Sequence, residues 1–385
     1  MKILILRPFP NKVNLQSYNL QEVGLAKALI RKGHQCDVAY FGGNEKDHEE
    51  RILFAEGAVR VIWLRGFGIL KEGFYPTLRK YINNYDIIQV GEYVGITSCW
   101  LNRFHQDKVV NYHGPYYCKE NRKDILKAAI WDKTLLPLSR KNKMLVLTKS
   151  TLATEYLRGK KIQHVTTVGV GLDLENICKP SQEDDRHEFV EYLWENKGNC
   201  KYLLYIGAME ERRNILFLLD IFANVLVANP ECRLVLIGKG QEEYLAACKQ
   251  KAEQLGIQDK IFYRERVAQK YLKSVYELSD VFLLPTRYEI FGMVLLEAMY
   301  FGLPVITTRN GGSCTLMNPE NGIVIDGFDA VCWAQKIGGL LSNDECRRKI
   351  GENAHRTIAE EYTWDSLADR FLQIYCKRKE HDCCG

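Results

Sequence analysis

Short apolar segments alternate with amphipathic helical stretches along nearly the whole chain, and this series occurs twice. Apolar runs of this kind suit strands that are buried on both faces of a parallel sheet. Alternation of such strands with helices is typical of a doubly wound α/β domain. The first series predicts strands at Lys2–Leu6, Cys36–Phe41, Val59–Leu64, Asp86–Val90, Val109–Tyr112 and Lys143–Leu147, with a helix over Gln16–Lys32.

The second series begins after a charged stretch, Ser181–Arg186, that has no strand character. A chain of 385 residues is too long for one ordinary core, since single cores stop growing near ~250–300 residues. We therefore predict two Rossmann-like domains, residues 1–178 and 179–363, with 179–200 as the linker. The predicted strands of the second domain are Tyr202–Ile206, Arg233–Ile237, Val281–Pro285, Pro304–Thr307 and Gly322–Ile325.

Composition excludes several other classes of protein. The net charge of +5 is too small an excess to indicate a nucleic-acid binder. The 13 cysteines form no Cys-x-x-Cys unit, which argues against a zinc site or a disulfide framework and indicates a reducing compartment. The first apolar run is too short for a signal peptide, and no segment approaches a membrane span. We expect a cytoplasmic protein.

The segment Pro285–Met299 carries the strongest chemical signal, because a strand ends there, a loop follows and a helix begins. The first turn of a helix has unpaired backbone N–H groups and partial positive charge, which suits a diphosphate. Glu289 and Glu297 flank this turn, and carboxylates accept paired hydrogen bonds from vicinal hydroxyls. The alternative is an acidic pair placed by chance around a helix start. The predicted phosphate-binding residues are Phe291, Gly292 and Met293.

This string resembles the Glu-x7-Glu signature of family 4 retaining glycosyltransferases, with Phe-Gly after Glu289 and Glu-Ala-Met from Glu297. The segments Gly302–Ile306 and Asn310–Gly312 are also similar to that family. The resemblance covers nearly the whole chain and implies a GT-B fold, in which two Rossmann-like domains face each other across a cleft. It also implies that residues 364–385 form a helix that crosses back to the N-terminal domain.

The turn from Tyr205 to Asn214 opens the second domain and contains two adjacent arginines, Arg212 and Arg213. Placed at a helix N-terminus they would oppose the helix dipole, and a bound anion would relieve that conflict. The resemblance implies that they bind the donor diphosphate and that Gly207 lines the site. Ala208 stands where many members carry arginine. A solvated basic turn is the alternative.

Three further segments are assigned by the resemblance. Gly238 and Gly240, in a turn after the strand Arg233–Ile237, would line the nucleotide pocket, and Val267 would lie beside the base. His113 directly follows a predicted strand and would reach toward the transferred sugar. The loop 11–19 contains no glycine, so the family's role for this loop does not carry over, although Asn14, Gln16 or Ser17 could bind an acceptor.

Residues 119–149 contain nine basic and three acidic side chains beside an apolar face. Such a segment suits contact with anionic lipids at the inner face of the cell membrane, or with a lipid-linked acceptor. A solvated helix that covers the sheet is an equal alternative.

The resemblance implies a metal-independent, retaining transfer of a hexose-type sugar from a nucleoside-diphosphate sugar, UDP or GDP being favoured. The acceptor would be a hydroxyl of a glycan or a lipid-linked molecule, in polysaccharide or glycolipid biosynthesis. No metal cofactor is expected, since no Asp-x-Asp occurs and cationic side chains would take its place. A dehydrogenase is disfavoured because no Gly-x-Gly-x-x-Gly follows a first strand. A phosphorylase or epimerase of the same architecture and a non-catalytic sugar-nucleotide binder remain open.

Overall fold

A computed structural model describes residues 1–69, 72–93, 95–116, 126, 129–130, 132–134, 136–137, 144–177 and 187–380. The chain divides into two compact units. Unit 1 comprises Met1–Asp173 and Tyr362–Gly385, and unit 2 comprises Leu174–Glu361. The sequence placed the boundary between its two domains at residue 178 and the start of the last helix at residue 364.

Unit 1 is built on an eight-stranded sheet in the order β10-β9-β8-β7-β1-β2-β4-β3, in which only β3 runs antiparallel to its neighbour. A small hairpin, β5 and β6, lies outside this sheet. The strands are β1 Lys2–Leu6, β2 Gln35–Gly43, β3 His48–Phe54, β4 Gly57–Arg65, β5 Phe67–Ile69, β6 Glu72–Phe74, β7 Ile87–Gly91, β8 Val109–His113, β9 Val146–Thr148 and β10 Val165–Thr167.

Helices cover this sheet and bury an apolar stripe against it. The last helix belongs to this unit through specific contacts: Trp364 is buried, and the Tyr375 hydroxyl donates to Gln89 Oε1 at 2.5 Å. Thr363 caps this helix by accepting from the Ser366 N–H at 3.1 Å. The helices of unit 1 are α1 Gln21–Arg31, α2 Arg79–Ile82, α3 Ile96–Phe104, α4 Thr151–Gly159 and, at the end of the chain, Trp364–Glu380, with a 3-10 turn at Pro76–Leu78.

Unit 2 contains a six-stranded sheet, entirely parallel, in the order β13-β12-β11-β14-β15-β16. Its strands are β11 Tyr202–Ile206, β12 Arg233–Ile237, β13 Ile261–Arg264, β14 Val281–Leu284, β15 Val305–Thr308 and β16 Ile323–Ile325. Its helices are α5 Leu174–Ile177, α6 Glu188–Glu195, α7 Ile215–Ala228, α8 Glu242–Gln254, α9 Gln269–Leu278, α10 Met293–Tyr300, α11 Ser313–Leu316, α12 Ala330–Leu341 and α13 Asp344–Glu361, with 3-10 turns at Glu211–Arg213 and Gln258–Lys260.

The α/β class and the parallel sheets predicted from the sequence are confirmed. Three strands of the two main sheets were not predicted, and all three lie at sheet edges: β3, β10 and β13. An edge strand is exposed along one side, so its sequence need not be a continuous apolar run. The residues of β3, HEERILF, are mostly exposed, and those of β13 are half-buried or exposed.

One predicted helix boundary was wrong. The first helix was predicted from Gln16, but α1 begins at Gln21, because Asn19 takes a left-handed backbone conformation with φ of 56°. The predicted linker, residues 179–200, contains α6, whose residues Phe189 and Leu193 are buried. Residues 178–186 lie outside the described residues.

Candidate functional site

The candidate donor site lies at the carboxyl edge of the sheet in unit 2. In a parallel sheet the loops that follow neighbouring strands meet at one edge, where ligands of doubly wound domains bind. The loop after β11 carries Arg212 and Arg213, and the loop after β14 carries Glu289. Because β11 and β14 are neighbours, these three side chains are brought together.

Their charges form a compact cluster. Arg213 pairs with Glu289 through Nη1 and Oε2, and the two side chains are only 13% and 10% exposed. Arg212 lies 3.5 Å from the same carboxylate oxygen and 2.7 Å from Glu210, and its side chain is 44% exposed. Two guanidinium groups therefore share one buried carboxylate, and the exposed acid of Glu210 compensates in part.

Hydrogen bonds to main-chain atoms join the loop after β11 to the loop after β14. The Arg212 carbonyl accepts from the Arg287 N–H at 2.9 Å and from the Thr286 hydroxyl at 3.0 Å. The Arg212 side chain returns a hydrogen bond to the Tyr288 carbonyl at 3.1 Å. On the other side, the Gly311 N–H donates to the Glu289 carbonyl at 3.0 Å. The position of the charged cluster is thus determined by the backbone of three loops.

One prediction about the helix start was wrong. The backbone N–H of Phe291 was predicted to be unpaired, but it donates to Glu289 Oε1 at 3.3 Å. Helix α10 begins at Met293, and Gly292 precedes it with φ of 80°, a conformation that favours glycine. In the structure the Glu289 carboxylate occupies the position where we expected a diphosphate oxygen to meet the Phe291 N–H.

The placement of the arginines also differs from the prediction. They lie on the 3-10 turn Glu211–Arg213, and α7 begins only at Ile215, after Asn214 in a left-handed conformation. Their charge is therefore balanced by Glu289 and Glu210 and does not act on the first turn of α7. Asn214 tolerates this conformation better than most residues, which lets the chain turn between the two helical segments.

Arg213 retains unused donor capacity. Its Nε atom is buried and has no hydrogen-bond partner among the described residues. A guanidinium group has five N–H donors, and leaving a buried charged donor unsatisfied costs more than ~1–3 kcal/mol. A ligand with anionic oxygens would satisfy it.

Glu297 is almost completely buried, at 2% exposure, and accepts a hydrogen bond from the Tyr276 hydroxyl at 2.8 Å. Tyr276 lies on α9 and stacks on Phe301 with a centroid separation of 5.2 Å. Sequence reasoning missed Tyr276, since a tyrosine on an amphipathic helix carries no signal of its own. The tyrosine orients the carboxylate that was assigned to the ribose.

The predicted glycines Gly207, Gly238 and Gly240 lie together in the loops that follow β11 and β12. Gly207 N–H donates to the Ile237 carbonyl at 3.0 Å, and Met209 forms a bridge with Gly240. A side chain on Gly238 would overlap the Gly207 carbonyl, so this close approach of two backbones requires glycine. Val267 is buried in the loop after β13, the strand that neighbours β12. These placements describe the predicted nucleotide pocket, and the ligand roles stay predictions.

His113 lies in unit 1, at the carboxyl end of β8, and is buried. Its Nδ1 atom contacts the carboxylate of Glu92, which directly follows β7, the neighbouring strand. Sequence reasoning missed Glu92, although a polar residue directly after a buried strand was the signal that identified His113. The pairing needs the sheet order, which places β7 beside β8.

Two other predictions of the sequence concern unit 1. Asn14 Oδ1 accepts from the Gln16 N–H at 2.9 Å, and the Ser17 N–H donates to the Asn14 carbonyl, also at 2.9 Å, so these residues form a local turn. Most of the basic segment 119–149 lies outside the described residues. None of the described helices is long and apolar enough to cross a membrane.

Comparison with known families matches both halves of the chain. The sequence family Glycosyltransferase Family 4 matches residues 23–176, and the sequence family Glycosyl transferases group 1 matches residues 193–357. The chain belongs to the family 4 type of GT-B glycosyltransferases. The resemblance noted at Glu289 and Glu297 is thereby confirmed at the level of the family.

Curated relatives are similar to this chain in sequence, and solved structures are similar to it in fold. A D-inositol 3-phosphate glycosyltransferase from Xylanimonas cellulosilytica is 28% identical over 228 residues, 57% of this chain and 53% of the relative. The chain thus spans about half the length of the curated relatives it matches. Sucrose-phosphate synthase from Thermosynechococcus elongatus (TM-score 0.69, 19% identity, 98% of this chain and 99% of that chain) and Anabaena HepE with UDP (0.72, 16%, 98% and 100%) share the GT-B fold.

Proposed function

We propose that the protein is a retaining glycosyltransferase that moves a hexose-type sugar from a UDP- or GDP-sugar to a hydroxyl of a glycan or lipid-linked acceptor. The observation that carries the proposal is Arg213, a buried guanidinium that pairs with Glu289 and keeps an unsatisfied Nε–H. Together with Arg212 it offers concentrated positive charge at the sheet edge where ligands of such domains bind.

The chemistry follows from the charges. As the bond between the sugar and the diphosphate breaks, the anomeric carbon becomes oxocarbenium-like and negative charge develops on the diphosphate. Arg212 and Arg213 would stabilise that charge, which preorganised donors do most effectively in a site shielded from water. The acceptor hydroxyl would attack from the face of the leaving group and pass its proton to a diphosphate oxygen. These cationic side chains would replace a divalent metal, in keeping with the absence of Asp-x-Asp.

Binding of the donor would redistribute the existing contacts. Glu289 pairs with both arginines, so a diphosphate that approaches them competes with this carboxylate. Once displaced, the carboxylate would be available to accept hydrogen bonds from sugar hydroxyls. Glu297, held by Tyr276, would accept from the ribose hydroxyls. His113 is the proposed contact to a sugar hydroxyl in unit 1.

The relatives support the class of donor. HepE from Anabaena has been solved with UDP-glucose and with UDP and glucose. The curated relatives include D-inositol 3-phosphate glycosyltransferases. We extend from these to a nucleoside-diphosphate sugar donor for this chain and place the reaction in cytoplasmic polysaccharide or glycolipid biosynthesis.

The test is a thermal-shift titration of the full chain with UDP, GDP, ADP and dTDP in the presence of a chelator. A ligand present at 100 times its Kd stabilises the folded protein by ~2.7 kcal/mol, which is readily seen as a rise in Tm. We expect one diphosphate to raise Tm, and the Glu297→Ala variant to require a higher concentration for the same rise.

The donor sugar is then identified by release of the matching diphosphate from candidate nucleotide sugars. Dependence of turnover on inorganic phosphate would identify a phosphorylase, and isomerisation of the donor without an acceptor would identify an epimerase. Binding without any turnover would indicate a non-catalytic sugar-nucleotide binder. If no diphosphate raises the Tm of the wild type, the proposed donor site is wrong.

A further inference from the structure

Glu92, which is half-buried, and His113, which is buried, form a pair at the carboxyl edge of the sheet in unit 1. Glu92 directly follows β7, and its backbone N–H donates to the Tyr112 carbonyl at 3.0 Å, which ties it to β8. Its carboxylate oxygen Oε2 contacts His113 Nδ1. The His113 side chain is 2% exposed, so the imidazole has little freedom to find another partner.

The imidazole ring contacts the Tyr93 ring as well as Glu92. The Tyr93 ring meets it edge-on at a centroid distance of 4.8 Å. The His113 carbonyl accepts from the Lys149 N–H at 2.8 Å, which ties the end of β8 to the segment after β9. The orientation of the ring is therefore determined by packing and by Glu92.

The backbone conformation of Glu92 is unusual for a residue other than glycine. It has φ of 70°, in the left-handed region that few residues other than glycine and asparagine adopt. Non-glycine residues in this region cluster at functional sites, where the surrounding structure maintains the strain. At this position the conformation brings a carboxylate against His113.

The charge state of Glu92 determines which nitrogen of His113 carries a proton. Burial raises the pKa of the Glu92 carboxyl, but His113, Lys149 and the Gly114 N–H outweigh burial and lower its pKa overall. An ionised carboxylate only accepts hydrogen bonds, so Nδ1 of His113 must be the donor. In a neutral imidazole the other nitrogen, Nε2, then presents a lone pair. That Nε2 atom is buried and has no hydrogen-bond partner within the described part of the chain.

We propose that Glu92 is a positioning residue that fixes His113 in the Nδ1–H tautomer, so that Nε2 accepts a hydrogen bond from a sugar hydroxyl. The assignment of a sugar as the partner rests on the proposed glycosyl transfer. The tautomer itself does not rest on it, because in a neutral imidazole it follows from the contact with Glu92. An imidazole whose Nε2 accepts selects a hydroxyl donor and rejects a carbonyl or ether oxygen at the same place.

The first experiment measures the tautomer directly and needs no turnover. The full chain is labelled with ¹⁵N-histidine, and two-bond ¹H–¹⁵N spectra are recorded at pH 8, above the ordinary imidazole pKa of ~6.5. His113 is assigned by the signals lost in a His113→Gln variant. We expect a protonated Nδ1 and an unprotonated Nε2 in the wild type. A protonated Nε2, with or without a proton on Nδ1, would overturn the proposal.

The second experiment removes the carboxylate. In Glu92→Ala we expect the tautomer to shift toward Nε2–H, the form that imidazole prefers in water, while Glu50→Ala, an exposed change on β3, leaves the spectrum unaltered. Retention of the wild-type tautomer in Glu92→Ala would contradict the proposal. Should Glu92→Ala fail to fold, Glu92→Gly suits the backbone at φ of 70° and removes the same carboxylate.

Kinetics connect the tautomer to the reaction. We expect the Glu92 variant to lower kcat for donor turnover at least ~10-fold, with the Kd for the diphosphate unchanged, because Glu92 acts through His113. Unchanged kcat with an altered tautomer would overturn the functional part of the proposal. A wild type that neither binds a diphosphate nor turns over a donor would instead refute the proposed function, and the tautomer would still decide the role of Glu92.

Discussion

Arg213 and Glu289 form a buried ion pair at the carboxyl edge of the sheet in unit 2, although one follows β11 and the other follows β14. Arg212 lies 3.5 Å from the same carboxylate oxygen and 2.7 Å from Glu210, so two guanidinium groups face two carboxylates. Desolvation of buried charges is costly unless they are paired, and this pair meets that condition. An arriving diphosphate can replace the carboxylate as the partner of both arginines.

Arg213→Ala should weaken binding of the diphosphate identified by thermal shift at least ~10-fold, because a charge-assisted contact to an anion contributes ~1.5–3 kcal/mol. Isothermal titration calorimetry measures the change in Kd. Arg348→Ala is the matched control, since Arg348 is 67% exposed and pairs only with Glu352 among the described ion pairs. Equal Kd values for wild type and Arg213→Ala would mean that the diphosphate does not bind at this pair.

The same pair predicts strong coupling in stability. Glu289→Ala leaves the buried charge of Arg213 without its carboxylate and should lower the free energy of unfolding by ~3–5 kcal/mol. Arg213→Ala should cost less, because Arg212 stays 3.5 Å from the Glu289 carboxylate. The double variant should lose less than the sum of the two, because no unpaired charge remains from this contact. Urea unfolding of the four proteins measures the coupling, and additive losses would contradict the pairing.

Tyr276→Phe removes the hydroxyl that donates to the buried Glu297. We expect the free energy of unfolding to fall by ~1–3 kcal/mol, since a buried carboxylate loses a donor. If Glu297 binds the ribose, diphosphate affinity should fall as well, because the carboxylate is no longer held in place. Tyr192→Phe, on an exposed tyrosine of α6, is the control for loss of a phenol oxygen. Identical melting curves and Kd values for Tyr276→Phe and wild type would exclude this role.

Gly238→Ala should destabilise unit 2 by more than ~2 kcal/mol, because the new methyl group would overlap the Gly207 backbone. Gly339→Ala is the matched control: this glycine lies in α12, a methyl group there meets nothing within 4 Å, and the change should stabilise the helix by ~0.5–1 kcal/mol. Chemical unfolding compares the two variants with wild type. Equal effects of the two changes would show that the close approach of the two loops is not required.

Glu72→Gln should stabilise the protein in a pH-dependent way. Burial, with a smaller contribution from the nearby charge of Glu92, raises the pKa of Glu72 from 4.5 to about 7. A carboxyl group with a raised pKa contributes stability at low pH that is lost as pH rises through the folded-state pKa. The difference in Tm, variant minus wild type, should therefore grow between pH ~4.5 and ~7 and stay constant above. Thermal melts across this range test it, with Glu50→Gln as the exposed control; a difference independent of pH would refute it.

Sequence pattern predicted the architecture because the central strands of a parallel sheet are buried on both faces. Five of the elements found in unit 2, β11, β12, β14, β15 and β16, were predicted within one residue at each end. The edge strands β3, β10 and β13 were not predicted, because a strand exposed along one side needs no continuous apolar run. The first helix begins at Gln21 and not at Gln16, because Asn19 takes a left-handed backbone conformation that the sequence pattern did not indicate.

Within the candidate site, the sequence by itself indicated the residues that we propose for the chemistry: two glutamates around a helix start, two adjacent arginines, four glycines and a histidine after a strand. The type and spacing of those residues are properties of the chain. Only the tertiary structure decided the partners, namely Glu289 for Arg213, Tyr276 for Glu297 and Glu92 for His113. Each pair joins segments that are distant along the chain and become neighbours through sheet order or helix packing, which local sequence does not encode.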